Sequence, residues 1–213
     1  MRENHSIRRR IVTNSRPAIL LARQIGTPLN QFVTINFSHT DCGEREAAAA
    51  FRKLREGYFT PWLRRPPVDY NGPVAAPAFI WVFENPDGHV NVHWMLHIPA
   101  GRLAAFRERL PKWLEKATGG VKCATSALDV KPIRNVFGLR LYMLKGMEEK
   151  YAHLYGVDHI PQGKVYGKRM GYSKSLGPSA CKKGGTNFTA RMKAKREAQA
   201  QRKGGGFSES AHL

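Results

Sequence analysis

The chain of 213 residues is 42% hydrophobic and carries a formal net charge of +19, with a pI of about 10.3. This length allows one sizeable core with a tail attached to it. With this charge the surface of the protein is strongly basic, which favours a polyanionic partner. Nucleic acid is the first candidate for this partner, and a membrane surface is the weaker one.

Hydropathy and cysteine content bear on location. No apolar run approaches the length of a membrane span, and the N-terminus lacks the uninterrupted apolar stretch of a signal peptide. The cysteines Cys42, Cys123 and Cys181 are odd in number and widely spaced, which argues against a disulfide framework and a structural zinc site. We expect a reduced, cytoplasmic protein without a membrane partner.

The first part of the chain contains one predicted strand and one predicted helix. Residues 1–25 form a basic lead-in that we expect to be mobile or to contact DNA. The alternating segment Phe32–Phe37 predicts a strand, and Asp41 or Gly43 then opens a helix with apolar residues at helical spacing. The proline-rich stretch from Pro61 to Pro77 predicts a loop.

A hairpin follows this loop. The segment Ala78–Glu84 predicts a strand, and Asn85–Gly88 has the composition of a type I turn. In the next segment, Gly88–Pro99, the apolar residues Val90, Val92, Trp94, Leu96 and Ile98 fall on one strand face; the other face carries His89, Asn91, His93, Met95 and His97. Because buried imidazoles need partners, three histidines on one face favour a metal ion or a phosphate contact.

The remaining elements complete the predicted domain, residues 26–160. They are an amphipathic helix from Arg102 to Ala117, a strand from Lys122 to Lys131 and a helix from Asn135 to about Tyr155. The order β-α-β-β-α-β-α predicts an α+β fold of the split βαβ kind, with an antiparallel sheet and helices packed on one face.

Residues 161–213 are predicted to be a basic, disordered tail. From Gly163 to Gly206 there are twelve lysines and arginines against the single acid Glu197. The segment Gly163–Gly177 interleaves basic residues with aromatics and glycines, a composition that fits nucleic-acid contact. We assign nucleic-acid binding to Lys164, Lys168, Arg169 and Lys174, and leave His97 open between a phosphate contact and a structural histidine.

Three segments now stand in a recognisable order. They are Phe-x-Thr-Ile-x-Phe ending at Phe37, an acid followed by Gly88 and the histidine strand, and Tyr142-Met-Leu-Lys145-Gly146. This order resembles the HUH endonuclease superfamily, in particular the rolling-circle replication initiator (Rep) proteins, over about Phe32 to Gly146. The resemblance implies a single-strand DNA nicking and joining enzyme on an RRM-like sheet, with metal-binding histidines on a central strand and a nucleophilic tyrosine on a helix.

The residue chemistry agrees with that expectation. A tyrosine phenolate can attack a phosphodiester and keep the bond energy in a phosphotyrosyl link. Tyr142 and Lys145, three apart on one helix, share a face, so that an ammonium can lie near the phenol or the phosphate. Tyr151 and Tyr155 are alternative nucleophiles on the same predicted helix.

The metal motif departs from the family pattern. The family has His-hydrophobic-His, whereas this chain has Asn91-Val92-His93. His89 lies on the same predicted face, and an asparagine carbonyl is an acceptable ligand for a hard cation. With Glu84 as the carboxylate, the set Glu84, His89, Asn91 and His93 suits Mn²⁺ or Mg²⁺ better than zinc.

Three functions follow from these residues. The first is a metal-dependent DNA endonuclease and strand transferase that nicks the origin of a plasmid or phage replicon, acting on single-stranded or origin DNA. The second is a non-catalytic nucleic-acid-binding protein on the same fold with an eroded metal site, and the third is a basic RNA-binding or ribosome-associated protein. No Gly-x-x-x-x-Gly-Lys-Ser/Thr loop occurs in the chain, so strand separation would need a host helicase.

Overall fold

The computed structural model describes residues 2–68, 71–72, 74, 76–120, 123–187 and 197. Seven strands are present in this part of the chain: β1 (Glu3–Asn4), β2 (Gln31–Asn36), β3 (Phe79–Glu84), β4 (Asn91–Leu96), β5 (Leu128–Pro132), β6 (Val165–Tyr166) and β7 (Met170–Tyr172). The α-helices of the same residues are α1 (Arg9–Val12), α2 (Ser15–Gln24), α3 (Ala47–Arg52), α4 (Thr60–Arg64), α5 (Leu103–Ala117), α6 (Val136–Met143), α7 (Glu149–Ala152) and α8 (Pro178–Lys183). The chain is therefore an α+β protein, as the sequence predicts.

The central sheet has five antiparallel strands in the order β5-β2-β4-β3-β7. The predicted hairpin is present, because β3 pairs with β4 through a short turn in which Asp87 has a φ of 52° and Gly88 a φ of 81°. The histidine strand β4 lies in the middle of the sheet, between β2 and β3. A central strand holds its side chains between two fixed neighbours, so this position gives the site a rigid floor.

One face of the sheet packs on an aromatic core. Trp94 is fully buried there, and the rings of Phe51, Phe59 and Phe79 lie edge-on to it with centroids 4.8–5.8 Å away. The apolar side chains predicted for this face of the histidine strand all belong to the cluster. Edge-to-face aromatic pairs add to the free energy that burial of the rings already supplies.

The other face is also covered, so the prediction of helices on one face only is wrong. A second buried cluster joins Ile80, Val82 and Met95 of the sheet to Ile19 of α2 and Met143 of α6. Strand β3 carries apolar side chains on both of its faces, so each face must be buried against another layer of the protein. The polar residues of β4 are thus enclosed between the sheet and helices.

The N-terminal 25 residues are not a separate lead-in. Ile7 is bonded to the segment after α6, since its amide donates to the Gly146 carbonyl. Ile7, Val12 and Ile19 are all buried in the second core. In the sequence, the many arginines of this segment draw attention away from its apolar residues, which are the ones that pack in the core. The domain boundary predicted at residue 26 is therefore wrong.

The predicted tail is likewise folded up to residue 187. Strand β7 forms an edge of the central sheet and α8 packs against α2. Val165 is buried in the first core, and Leu176 and Cys181 are buried in the second. The part of the predicted tail beyond Asn187, apart from Glu197, lies outside the described residues.

Other boundaries differ in detail. The first long helix continues from α3 through a π-helical segment, Lys53–Phe59, into α4, so the predicted loop starts only after Arg64. Pro61 lies inside this continuous helix, directly after the π-helical segment, and because proline has no backbone N–H the helix has one hydrogen bond fewer at this point. The last predicted helix is broken into α6 and α7. No helix of the described residues combines the length and the apolar character needed to cross a lipid bilayer.

Candidate active site

A polar cluster lies on the face of the sheet that packs against α2 and α6. It is located where the hairpin end of β3 and β4 meets the end of α6. Strand pairing sets Asn91 between Asn36 and Glu84, and His93 between Thr34 and Val82. Cross-strand partners project to the same side of a sheet, so the polar side chains of these two rows share one face. The next row along the strands, Phe32, Met95 and Ile80, is apolar.

Glu84 and His93 form the buried base of this cluster. His93 Nε2 is 3.1 Å from Glu84 Oε2, and the two side chains are 7% and 4% exposed. Thr34 Oγ1 lies 3.1 Å from His93 Nδ1, and Phe32 stacks on the imidazole with a ring-centroid distance of 5.3 Å. Thr34 and Phe32 therefore fix the plane of the imidazole ring.

Tyr142 and Lys145 cover the base. The local sequence explains their position: the Asn135 side chain caps α6 by accepting a hydrogen bond from the Gly138 amide, and the helix ends at Met143. Tyr142 is thus in the last turn, and Lys145 is in the following turn, bonded through its carbonyl to the Ile160 amide. Our prediction that both lie on one helix is correct for Tyr142 and wrong for Lys145.

The side chains of these two residues converge on the buried pair. Lys145 Nζ donates to Glu84 Oε2 at 3.0 Å and lies 4.1 Å from the centroid of the Tyr142 ring. Tyr142 Oη is 3.5 Å from His93 Nε2, and the side chain of Tyr142 remains 45% exposed. An accessible phenol thus stands next to an ammonium, a carboxylate and an imidazole.

Electrostatics keep the carboxylate and the ammonium charged. Burial raises the pKa of Glu84, but hydrogen bonds and charge from His93 and Lys145 outweigh this and lower it below its usual value. Burial lowers the pKa of Lys145, and the attraction of Glu84 outweighs it, so the net direction is upward. The site holds a persistent ion pair under the Tyr142 ring.

The other two tyrosines proposed as nucleophiles do not reach this cluster. Tyr155 Oη lies 3.0 Å from Thr13 Oγ1, and Tyr151 packs under the guanidinium of Arg9 at 4.8 Å. Both contacts tie the tyrosines to the N-terminal helix α1 and the residue after it. Among the three candidates, the geometry brings Tyr142 alone to His93, Glu84 and Lys145.

The metal set is only partly assembled. Glu84 and His93 present a carboxylate oxygen and an imidazole nitrogen side by side, and Glu84 Oε1 is buried without a hydrogen-bond partner in the described part of the chain. Asn91 lies directly across from Glu84, although its Nδ2 donates to the His89 carbonyl. The unpaired Glu84 Oε1 is a ligand of the kind that a hard divalent cation takes, and His93 is the one further side chain of the set beside it.

His89 does not belong to the set. Its side chain is exposed in the residue that follows the hairpin turn, before β4 begins. Across the described residues, no three His, Cys, Asp or Glu side chains are grouped as metal ligands. Strand β4 begins only at Asn91. Extending its period of two back to His89 therefore predicts that this histidine lies on the polar strand face beside His93, whereas it is exposed after the turn.

His97 has a structural environment. It is nearly buried, and its Nδ1 lies 2.8 Å from the Pro28 carbonyl oxygen. Burial lowers the pKa of His97, which favours the neutral ring. This hydrogen bond satisfies one nitrogen of the nearly buried imidazole, which favours the structural alternative over a phosphate contact.

The four basic residues assigned to nucleic-acid binding divide into two groups. Lys164, Lys168 and Lys174 are at least partly exposed. Arg169 is buried, and its guanidinium donates to the carbonyls of Asn4, Gly163 and Gln162. Arg169 therefore fastens the segment before β7 to the N-terminus and is wrongly assigned to nucleic-acid binding.

Sequence reasoning missed Thr34 and Phe32, which hold His93 from the neighbouring strand. In the sequence their segment stands out only by its position before the other motifs. The alternation of β2, which places Phe32, Thr34 and Asn36 on the face opposite Val33 and Ile35, is the signal that could have found them.

Comparison with known proteins returned no matching family model, no matching curated protein and no matching solved structure.

Proposed function

We propose that this chain is a Rep-like HUH endonuclease that nicks and joins single-stranded DNA through a covalent tyrosine intermediate. The observation that carries the proposal is the convergence of Tyr142, Lys145, Glu84 and His93, which come from segments far apart in the sequence. The resemblance to the family, which rests on sequence motifs alone, implies these four residues together with His89 and Asn91 as one site. The five-stranded antiparallel sheet, with the histidine strand in its middle, also supports the proposal.

The chemistry proposed for the site is transfer of a phosphodiester to Tyr142. The phenol oxygen attacks phosphorus, the bond from phosphorus to the 3′ oxygen breaks, and the 5′ end stays on tyrosine. The phenol proton passes to solvent, which reaches the exposed side chain, and the departing 3′ oxygen takes up a proton from water. Because the ester bond is exchanged and not hydrolysed, a later attack by a 3′ hydroxyl reverses the step and joins the strand.

Lys145 and Glu84, which form an ion pair, have different electrostatic roles in the proposed reaction. The Lys145 ammonium, 4.1 Å from the centroid of the Tyr142 ring, attracts the phosphate and stabilises the negative charge that develops on it during the transfer. Glu84 holds that ammonium in place and, with His93 and the Asn91 amide, would hold Mn²⁺ or Mg²⁺. A bound divalent ion supplies Lewis-acid stabilisation of charge on the scissile phosphate.

The proposed biological setting follows from the resemblance and the composition. The substrate is origin DNA of a plasmid or phage replicon in the cytoplasm, and a host helicase separates the strands. The charge of +19 supports a polyanionic substrate.

The test is a covalent-adduct assay. Purified protein is incubated with a set of single-stranded oligonucleotides and Mn²⁺, and a slower-migrating species is sought on a denaturing gel. We expect an adduct with the wild type that is lost in Tyr142→Phe, whereas DNA affinity stays nearly unchanged because only a hydroxyl is removed. Tyr151→Phe and Tyr155→Phe are the matched controls and should retain the adduct.

A second candidate is a non-catalytic nucleic-acid-binding protein on the same fold. Two observations favour it: Asn91 stands where the family has a histidine, and Lys145 already occupies Glu84 Oε2. Sequence-tolerant DNA binding without any adduct, together with no Mn²⁺ binding by calorimetry, would support this candidate over the enzyme.

A further inference from the structure

A second basic site lies at the other end of β3. A cleft of about 450 Å³ opens between the helical layer and the segment that follows β7. Its cationic lining residues are Arg55, Arg64 and Lys174, and its one acidic lining residue is Glu56. The volume falls in the range of pockets that bind small organic ligands, so the cleft has room for more than a lone phosphate ion.

The positive charge of this cleft is poorly compensated. Glu56 pairs with Arg55 at 2.6 Å. Within the described residues, neither Arg64 nor Lys174 forms a salt bridge. Like charges brought together in this way repel one another until an anion joins them.

Arg55 is held rigidly at the wall of the cleft. Its guanidinium packs over the rings of Phe79 and Trp81 at 5.6 and 5.2 Å. Lys168 lies over the same Trp81 ring at 5.8 Å, and burial together with the charge of Arg55 lowers the pKa of Lys168. Lys168 therefore continues the row of cations beside the cleft, where an anion would relieve the repulsion.

This cleft is distinct from the Tyr142 cluster. Phe79, which lines the cleft, is the first residue of β3, and Glu84 of the cluster is the last. The five residue-to-residue steps of extended strand from one to the other span about 16 Å. Phe79 also faces the first core, whereas His93 faces the second side of the sheet.

We infer that this cleft binds the phosphodiester backbone of a second stretch of single-stranded nucleic acid, away from the phosphate at Tyr142. Arg64 and Lys174 contact phosphates directly, and Arg55 with Lys168 adds to the local potential. The inference rests on the proposed nucleic-acid substrate and extends it, because it assigns affinity to a site remote from the chemistry.

The experiment measures binding without chemistry. All proteins carry Tyr142→Phe, and fluorescence anisotropy with a labelled oligothymidylate is recorded from 50 to 300 mM NaCl. Arg64→Gln/Lys174→Gln should weaken binding about tenfold at low salt and make the log–log salt slope shallower by roughly 1.4, at about 0.7 per lost contact. The control Arg107→Gln/Arg109→Gln removes the same charge from exposed positions of α5 that do not line the cleft.

The possible results separate clearly. A loss confined to the cleft variant supports the inference, and an equal loss in both variants contradicts it, because then only net charge matters. Oligoglutamate of matched charge that binds as tightly as the oligonucleotide, with the same loss in the cleft variant, would also contradict it. Thermal unfolding of each variant verifies that the fold is retained, and Lys174→Gln alone, in an exposed turn, provides a milder second variant.

Because catalysis is absent throughout, the result does not depend on adduct formation. Failure of the adduct assay with a positive cleft result would remove the proposed enzyme and leave the binding site. The reverse pattern would remove only the cleft.

Discussion

Glu84 is the residue on which the proposed site depends most. It is 3% exposed, and one of its oxygens is shared by His93 and Lys145. A buried carboxylate would be strongly unfavourable alone, and its two partners offset the loss of hydration. Removing its charge leaves the Lys145 ammonium without a counter-ion in a side chain that is 17% exposed.

We predict that Glu84→Gln destabilises the protein by about 3 kcal/mol at neutral pH. Because the pKa of Glu84 is lowered in the folded state, its contribution is complete above the ordinary pKa of a glutamate, 4.5. It is lost as the pH falls through the lowered folded value. Urea unfolding from pH 7 downward should therefore show the gap between variant and wild type narrowing below about pH 4.5.

Glu56→Gln is the matched control, since Glu56 also pairs with a cation but its side chain is 60% exposed. We expect this control to change stability by less than about 1 kcal/mol at any pH. If the difference in unfolding free energy between the wild type and Glu84→Gln does not depend on pH, the contribution of Glu84 to stability comes from packing and not from its charge.

At this scale the sequence predicts the site residues that a repeating pattern or a motif identifies. The period of two places His93 correctly on the polar face. The motif Tyr142-Met-Leu-Lys145 indicates the two residues that the structure brings next to it. It cannot separate His93 from His97, because both occupy the same face and differ only in which carbonyl or carboxylate lies opposite. Those partners come from other strands and loops, so their identity depends on tertiary structure.

At the scale of elements, the edge strand β7 determines how the sheet is completed. Gly171 is paired with Trp81, and a Cβ at this glycine would lie 2.6 Å from the Trp81 ring. The absence of a side chain therefore lets β7 approach β3 beneath the indole. This close approach is what joins the C-terminal segment to the sheet.

We predict that Gly171→Ala destabilises the protein by about 2 kcal/mol, because the indole must move in a packed core. Gly57→Ala is the control: a Cβ there meets nothing within 4 Å, so this substitution should be neutral or stabilise by about 0.5 kcal/mol. Urea unfolding of both variants measures the difference. Equal stability of the two would show that β7 does not press against Trp81.

The β7 segment also shows why part of the fold escapes prediction. Between Gly163 and Gly177 the basic residues dominate the composition, but Val165, Met170 and Leu176 are buried. Such short strands carry too few residues for a detectable period. By contrast, α5 has buried Phe106 and Leu110 at helical spacing over 15 residues, and the sequence predicts it almost to the residue.

At the scale of the whole molecule, the excess of positive charge continues into residues 188–213, of which the structure describes only Glu197. Six of the 35 lysines and arginines lie in residues 188–213. Truncation before Gly163 would remove β7, so the informative cut follows Asn187. Such a cut leaves Tyr142, Lys145, Glu84 and His93 in place.

We predict that deletion of residues 188–213 weakens single-strand binding and makes the salt slope shallower, by up to roughly 4 if every removed cation contacts a phosphate. Adduct formation should persist at low salt, because the cluster lies upstream. Anisotropy titrations over a range of NaCl measure the slope. An unchanged slope would show that these residues do not touch the strand.

The chemical identity of the adduct decides whether Tyr142 is the nucleophile of a strand-transfer enzyme. Wild-type protein is allowed to react with a single-stranded oligonucleotide and Mn²⁺, digested with protease and nuclease, and analysed by peptide mass spectrometry. We predict one modified peptide, with the nucleotide remnant on Tyr142 and attached through its 5′ phosphate. Modification at Tyr151 or Tyr155, or a nicked product with no protein attached, would contradict the proposed mechanism.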